Sequence, residues 1–155
     1  MQLRGTDIVV DKIRAKQNVI SGSGATRTLN ENESGSLCLF DRAAGIVFTL
    51  PTAKAGTWFD FVITTSVTSN AAKVITAAGT ELLIGGYTNV DTDTSNAVAV
   101  FDGNGSTHVS VSMNGTTTGG LQGTKLRFTC LSSTRWMVEG IVRGSGVVAT
   151  AFATS

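Results

Sequence analysis

The stretch that decides the fold runs from Gly45 to Ile63 and reads GIVFTLPTAKAGTWFDFVI. It holds the only proline of the chain, Pro51, between two segments in which apolar residues alternate with other residues. A period of two over this length predicts two half-buried β-strands joined by a turn. The residues that this period places on the inward faces are Ile46, Phe48 and Leu50, then Phe59, Phe61 and Ile63.

Similar strand patterns continue from Ser36 to the end of the chain, separated by turns such as Asp102-Gly103 and Asn114-Gly115. Asn-Gly and Asp-Gly pairs supply the positive φ angles that tight hairpins require. The pattern therefore predicts an all-β protein, built as a single antiparallel β-sandwich of the jelly-roll kind or a small barrel. The strands are expected near residues 37–41, 46–50, 58–65, 73–77, 81–84, 97–101, 107–113, 125–131 and 135–143.

The two ends of the chain differ in character from this central β domain, which we place at residues 31–143. Residues 1–30 contain a short alternating stretch and a Ser/Gly linker, so an extended N-terminal arm is expected, able to add a strand to a neighbouring subunit. Residues 144–155 form an uncharged tail of small and apolar residues. We expect this tail to lie along a partner or to seal a sheet, with a frayed end as the alternative.

Composition indicates a protein that hides part of its surface against other subunits. Charged residues make up 15% of the 155 positions, well below the usual quarter, while 41% are hydrophobic. The net charge of +1 gives no overall indication of nucleic-acid binding. No signal peptide is recognisable at the N-terminus, and no apolar run approaches the length of a membrane-spanning helix. We therefore expect synthesis in a cytoplasm and no membrane partner.

Positive charge is concentrated at the N-terminal end. The first 28 residues hold five basic residues against two acidic ones. Such an arm is suited to an acidic surface or a nucleic acid, although a solvated terminus has the same composition.

A serine and histidine pair in the strand around His108 is the nearest approach to a catalytic set. Alternation places His108, Ser110 and Ser112 on one face of that strand. A hydrolase also needs a carboxylate to orient the histidine, an oxyanion hole and, in many folds, a G-x-S-x-G turn, which the sequence lacks. We therefore interpret this face as solvated or as an interface, and predict no enzyme activity.

The segment from Asp91 resembles a calcium loop only weakly. Asp91, Asp93, Ser95 and Asp102 fall at positions one, three, five and twelve, but Asn96 stands where the loop needs glycine. Strand patterns rather than helices flank it, so we predict a polar surface loop with no metal and no cofactor. Cys38 and Cys130 fit no metal or redox spacing; a buried free thiol is expected for Cys130, and a disulfide between the two stays open.

Three segments together resemble a known family. Gly45–Pro51 followed by Gly56–Val62 is similar to a pattern common in structural proteins of tailed phages, namely glycine, hydrophobic residues, Thr-Leu-Pro, a spacer, and Gly-x-x-Phe-x-Phe-hydrophobic. Ser132–Gly140 resembles the serine turn and Trp-x-Val-x-Gly ending of the same proteins. Ala77–Gly86 matches their middle, a glycine, an apolar strand and more glycine. The resemblance covers roughly residues 36 to 143.

The resemblance implies a capsid decoration, or cement, protein of a tailed bacteriophage or cyanophage. Such proteins are β-rich, commonly trimeric, and sit on the outer capsid surface at local three-fold axes. The implied partners are the major capsid protein and other copies of the chain. A receptor- or carbohydrate-binding module of a head or tail fibre is the alternative, with a spike hydrolase third.

The N-terminal arm lies outside the matching motifs. From its extended and basic character we expect it to dock on the shell. The residues assigned to this docking are Leu3, Arg4, Ile8, Val10, Lys12 and Arg14.

Overall fold

The computed structural model describes residues 16–22, 24–93 and 98–155. These form twelve β-strands and a single 3₁₀ turn, which confirms the predicted all-β class. The elements are β1 (Val19–Ser21), β2 (Thr26–Thr28), the 3₁₀ turn (Glu31–Glu33), β3 (Leu37–Phe40), β4 (Ile46–Thr49), β5 (Trp58–Ile63), β6 (Ala72–Ile75), β7 (Leu82–Asp91), β8 (Val98–Asn104), β9 (Ser110–Met113), β10 (Lys125–Ser132), β11 (Arg135–Gly144) and β12 (Phe152–Ala153). Within the described ranges, no helix has the length and hydropathy needed to cross a membrane.

The strands form two sheets. The large sheet has seven strands in the order β1-β3-β5-β10-β11-β7-β8, and the small sheet has five in the order β12-β9-β6-β4-β2. Each predicted strand coincides with an observed one, but β7 extends to Asp91, well beyond its predicted end. The short strands β1, β2 and β12 are not predicted by the periodicity, because two or three residues are too few to display it.

Both sheets are mixed, which corrects the antiparallel arrangement expected from the sequence. From β1 to β6 the chain places each successive strand in the other sheet, so β1-β3-β5 and β2-β4-β6 pair in parallel. A parallel pair needs a crossover, and here the crossover is a strand of the opposite sheet. Antiparallel pairing begins with the later strands, as in β7-β8 and β10-β11.

The core lies between the two sheets and is built largely from phenylalanines. The Phe61 ring centroid lies 5.5 Å from that of Phe48 and 5.4 Å from that of Phe128, and Phe48 lies 5.0 Å from Phe40. These contacts join both sheets through edge-to-face geometry. The six residues predicted to face inward in the Gly45–Ile63 stretch are all buried.

The two chain ends contribute to this core. Ile20 and Leu29 are buried, and they lie on β1 and just after β2, inside the segment predicted as an arm. At the other end Phe152 pairs with β9, and the amide of Ala151 donates a hydrogen bond of 2.6 Å to the hydroxyl of Tyr87. The end of the chain thus seals the edge of the small sheet. The predicted docking residues Leu3, Arg4, Ile8, Val10, Lys12 and Arg14 all lie outside the described residues.

Candidate interaction face

The outward side of the large sheet, here called the outer face, carries a row of side chains that crosses every strand of that sheet. Register alignment produces this row, because directly paired residues point to the same side of a sheet. We call it the central row, and its members in order are Val19, Leu37, Asp60, Arg127, Glu139, Gly86 and Asp102. Its middle therefore alternates acid, base and acid.

Asp60 and Arg127 form the anchor of the central row. Strand alternation turns Phe59 and Phe61 inward and thereby turns Asp60 outward. Arg127 donates from Nε to Asp60 Oδ1 at 2.7 Å and from its terminal amine to Oδ2 at 2.8 Å. Gln17 adds a third hydrogen bond to Asp60 Oδ2, at 3.0 Å. Asp60 is consequently only 2% exposed although it lies on an outward-facing position.

This environment fixes the charge of both groups. The hydrogen bonds from Arg127, ahead of that from Gln17, hold the pKa of Asp60 below its usual value against the opposing effect of burial. The same contact raises the pKa of Arg127. The guanidinium also lies 4.5 Å from the ring centroid of Trp58, within cation–π range. An ionised carboxylate with both oxygens occupied is a structural anion and is unsuited to donating a proton in catalysis.

A second row runs beside the central row and is mainly apolar. Its members are Ser21, Leu39, Val62, Lys125, Ile141, Thr88 and Val100. Between the two rows lies an open concavity, lined by Asp60, Gly123, Lys125, Arg127, Glu139, Gly140 and Ile141. Gly140 has a φ of +148°, and a Cβ there would lie 2.2 Å from the carbonyl oxygen of Lys125, so the backbone at this edge of the concavity requires glycine.

The outer face also carries most of the large apolar side chains that remain exposed. Six such residues occur within the described ranges, and Val147 is the one that lies elsewhere. The five on the outer face are Val19 (55% exposed), Val98 (63%), Val100 (75%), Leu131 (46%) and Ile141 (54%). Half-buried Leu37, Leu39, Trp58, Val62, Ile84, Val90 and Met137 lie between them.

The outward side of the small sheet has a different composition. Its paired rows consist mainly of Thr, Ser and Lys side chains, with Val47 and Ile75 as the large apolar members. Apolar exposure is thus a property of one face, and contiguous patches of this kind mark interaction sites in soluble proteins.

The structure does not assemble a catalytic set around His108. Its Nδ1 accepts a hydrogen bond from the amide of Asn104 at 3.2 Å, and its ring stacks on Phe152 at 5.3 Å. Ser110 is buried and donates to the carbonyl oxygen of Ser155 at 2.7 Å. Within the described part of the chain no carboxylate hydrogen-bonds His108, so its contacts are those of packing.

Asp91 and Asp93, in the described part of the predicted polar loop, each accept a hydrogen bond from a backbone amide. Asp91 accepts a hydrogen bond from the amide of Asp93 at 3.0 Å, and Asp93 accepts one from Gly146 at 2.8 Å. Ser95 and Asn96 lie outside the described residues. Across residues 16–22, 24–93 and 98–155, no group of three or more His, Cys, Asp or Glu side chains is placed to hold a metal.

Both cysteines are free and buried, as expected for Cys130, and no disulfide joins them. Burial raises the pKa of Cys38 to about 12 and also raises that of Cys130. Neither thiol is therefore activated for chemistry in the folded state.

Sequence reasoning missed the Asp60–Arg127 pair, although a signal for it exists. Asp60 interrupts an otherwise apolar strand between Phe59 and Phe61, and Arg127 lies between the inward-facing Leu126 and Phe128. An acid and a base at outward positions in two such strands indicate a cross-strand ion pair. The sequence does not indicate that β5 and β10 are neighbouring strands, because they lie far apart along the chain.

The chain was also compared with known proteins. A scan against family models, a search of curated proteins and a search of solved structures each gave no match.

Proposed function

We propose that this chain is a structural virion protein, a capsid decoration protein that binds the outer surface of a tailed-phage head as a homotrimer and stabilises the mature shell. Its partners are the major capsid protein and further copies of itself. The proposal assigns it no catalytic role.

The proposal rests on Glu81, because its hydrogen bonds connect the three segments that resemble decoration proteins. Glu81 is 4% exposed and belongs to the middle segment. Its carboxylate accepts a hydrogen bond from the amide of Ala53 at 3.0 Å and another from Trp136 Nε1 at 3.4 Å. Ala53 lies in the turn between the two strands of the first segment and Trp136 in the last segment. The resemblance therefore falls on one packed unit and not on scattered residues.

The surface chemistry favours assembly over catalysis. The outer face combines exposed valine, leucine and isoleucine with a fixed ion pair, whose carboxylate is held in its charged form by the hydrogen bonds from Arg127. A decoration protein adds many weak contacts to a lattice, and binding only the mature lattice stabilises that state by linkage.

Docking through the N-terminal arm is part of the proposal. The described chain begins beside the central row, because Gln17 contacts Asp60 there. The preceding residues carry Arg4, Lys12 and Arg14, which suit an acidic shell surface.

The test uses capsids of the phage that encodes this chain, before and after expansion. We expect the protein to co-sediment with expanded capsids and to raise their melting temperature, without binding the unexpanded form. Absence of binding to either form would contradict decoration.

A matched pair of variants tests docking through the arm. Arg4→Glu, Lys12→Glu and Arg14→Glu combined should abolish co-sedimentation. Arg42→Glu, Lys54→Glu and Lys73→Glu combined give the same net charge elsewhere on the molecule and should retain it. Equal binding by the two triple variants would show that the arm does not dock.

The alternative is a receptor- or carbohydrate-binding module of a head or tail fibre. The parallel, sheet-to-sheet course of β1 to β6 favours it, since such winding is how solenoid shafts are built. The aromatic residues argue against sugar stacking. Within the described ranges most lie in the core, and the half-buried Trp58 is faced by Arg127. Binding on a glycan array, with no binding to capsids, would favour the alternative.

A further inference from the structure

We propose that copies of this chain associate through the outer face of the large sheet. The inference rests on the self-association in the proposed function and adds the surface that performs it.

The first argument is the asymmetry of apolar exposure. Val98 and Val100 on β8, together with Ile141 on β11, are each more than half exposed. They share one side of one sheet with Val19 and Leu131. Burying this set against another protein removes apolar area from water, at about 25 cal/mol per Å². The small sheet offers no comparable patch among the described residues.

The second argument is charge, which identifies the partner. The concavity is lined by two acids, Asp60 and Glu139, and two bases, Lys125 and Arg127. The four charges of the concavity cancel, so it gives no long-range attraction to nucleic acid or to a strongly charged protein. A second copy of the same concavity offers an acid for each of its bases.

Within one copy this charge set is only half satisfied. Asp60 and Arg127 pair with each other, at 2.7 Å. Lys125 and Glu139 are exposed, and within the described part of the chain neither belongs to an ion pair. These two residues are available to pair between copies.

The third argument is shape and size. Gly140 and the exposed Ile141 both line the concavity, so the face presents an apolar projection next to a hollow. The apolar projection of one copy can therefore pack into the hollow of a neighbouring copy. The seven strands lie about 4.8 Å apart, and the outward residues extend about 20 Å along the strands. The face therefore has a footprint of roughly 600 Å². In accessible area this is of the order of the ~800 Å² per partner that stable interfaces bury.

The experiment measures the mass of the full chain by sedimentation and native mass spectrometry, from about 1 to about 100 μM. The wild type should be an oligomer, and the proposed function predicts that this oligomer is a trimer. Val100→Asp and Ile141→Asp should each weaken self-association at least about tenfold. Val147→Asp, at an even more exposed valine off the face (88%), should not. Far-UV circular dichroism and melting of each variant establish that it is folded.

Charge reversal gives a second, independent measurement. Lys125→Glu alone should weaken self-association, and adding Glu139→Lys should restore it, because the double variant again carries one charge of each sign. A double variant as weak as the single one would overturn pairing between these residues.

A wild type that stays monomeric over this range, or an oligomer that both aspartate variants leave intact, would overturn the inference. Capsid co-sedimentation is measured on the same samples. A monomer that still decorates capsids would contradict this inference and the homotrimer of the proposed function but not decoration, whereas an oligomer that ignores capsids would contradict only decoration.

Discussion

At the scale of single residues, Asp60 shows how a charge can be held on an apolar face. Its two oxygens accept hydrogen bonds from Arg127 and Gln17, so burial leaves the carboxylate ionised and paired. Removing one member of such a pair leaves the other without its partner. Asp60 therefore contributes to stability only while it carries its charge.

This predicts a specific dependence of stability on pH. The pKa of Asp60 is lower in the folded chain than the ordinary value of about 3.9. Its contribution is therefore complete above about pH 4 and is lost as the pH falls through the lowered value. Asp60→Asn should reduce the free energy of unfolding at pH 7, and the difference from wild type should shrink toward pH 2. Urea unfolding at a series of pH values measures this.

Asp102→Asn, at the exposed end of the same row, is the control and should follow the wild type. A deficit for Asp60→Asn that stays constant with pH would contradict the prediction.

Glu81 supports a second prediction at this scale. Its carboxylate satisfies the indole N–H of Trp136, which is fully buried, and the amide of Ala53. Glu81→Ala leaves both donors without this acceptor and should lower the free energy of unfolding by about 3 kcal/mol. Glu81→Gln keeps one acceptor oxygen and should lose less. Equal losses in chemical denaturation would contradict this prediction, because Glu81→Gln keeps both the side-chain volume and one acceptor oxygen.

At the scale of elements, the pairing of β10 with β11 depends on a glycine. Gly140 lies opposite Leu126 with a φ of +148°, where L side chains rarely fit. Gly140 also lines the concavity of the outer face.

Gly140→Ala should therefore destabilise the chain. Its Cβ would lie 2.2 Å from the carbonyl oxygen of Lys125, so the strands must separate locally. We expect a loss of roughly 2–3 kcal/mol in urea unfolding. Gly79→Ala is the control, because a Cβ there meets no atom within 4 Å, and it should stay within about 0.5 kcal/mol of wild type. Similar stabilities for the two variants would contradict the strain assigned to Gly140.

The elements also show how far sequence reasoning reaches. Alternation correctly predicted β4 and β5 and their inward residues, because a strand's period is a local property. Strand order and direction are not local. The parallel course of β1 to β6 depends on each connection crossing to the opposite sheet. The residues of a turn do not indicate which sheet the next strand joins. The candidate face could not be predicted from the sequence for the same reason, because its rows join residues from seven separate strands.

At the scale of the whole molecule, the two sheets share one core. Phe48 of the small sheet contacts Phe40 and Phe61 of the large sheet. Neither sheet can open without exposing the aromatic surface of the other, so we expect one cooperative unfolding transition.

Thiol labelling tests this cooperativity. Both cysteines lie in the large sheet and are buried. Phe48→Leu, in the small sheet, should cost roughly 1–2 kcal/mol and accelerate labelling of both thiols about tenfold. Val147→Ala, at an 88% exposed position, should leave both rates unchanged. Labelling of both thiols at the wild-type rate, despite the loss of stability, would show that the large sheet opens independently of the small one.

The course of the chain also has a consequence for its synthesis. β5 takes its partner on one side, β3, from residues already made, whereas its other partner, β10, is far downstream, with Asp60 and Arg127 separated by 67 positions. When the ribosome has released β6, the phenylalanines of β3 to β5 still lack the ring of Phe128, and Asp60 lacks its base. The strands up to β6 therefore keep apolar surface exposed until β10 has been synthesised. Long-range closure of this kind makes folding slow, and the nascent chain is exposed to aggregation or to chaperones during that interval.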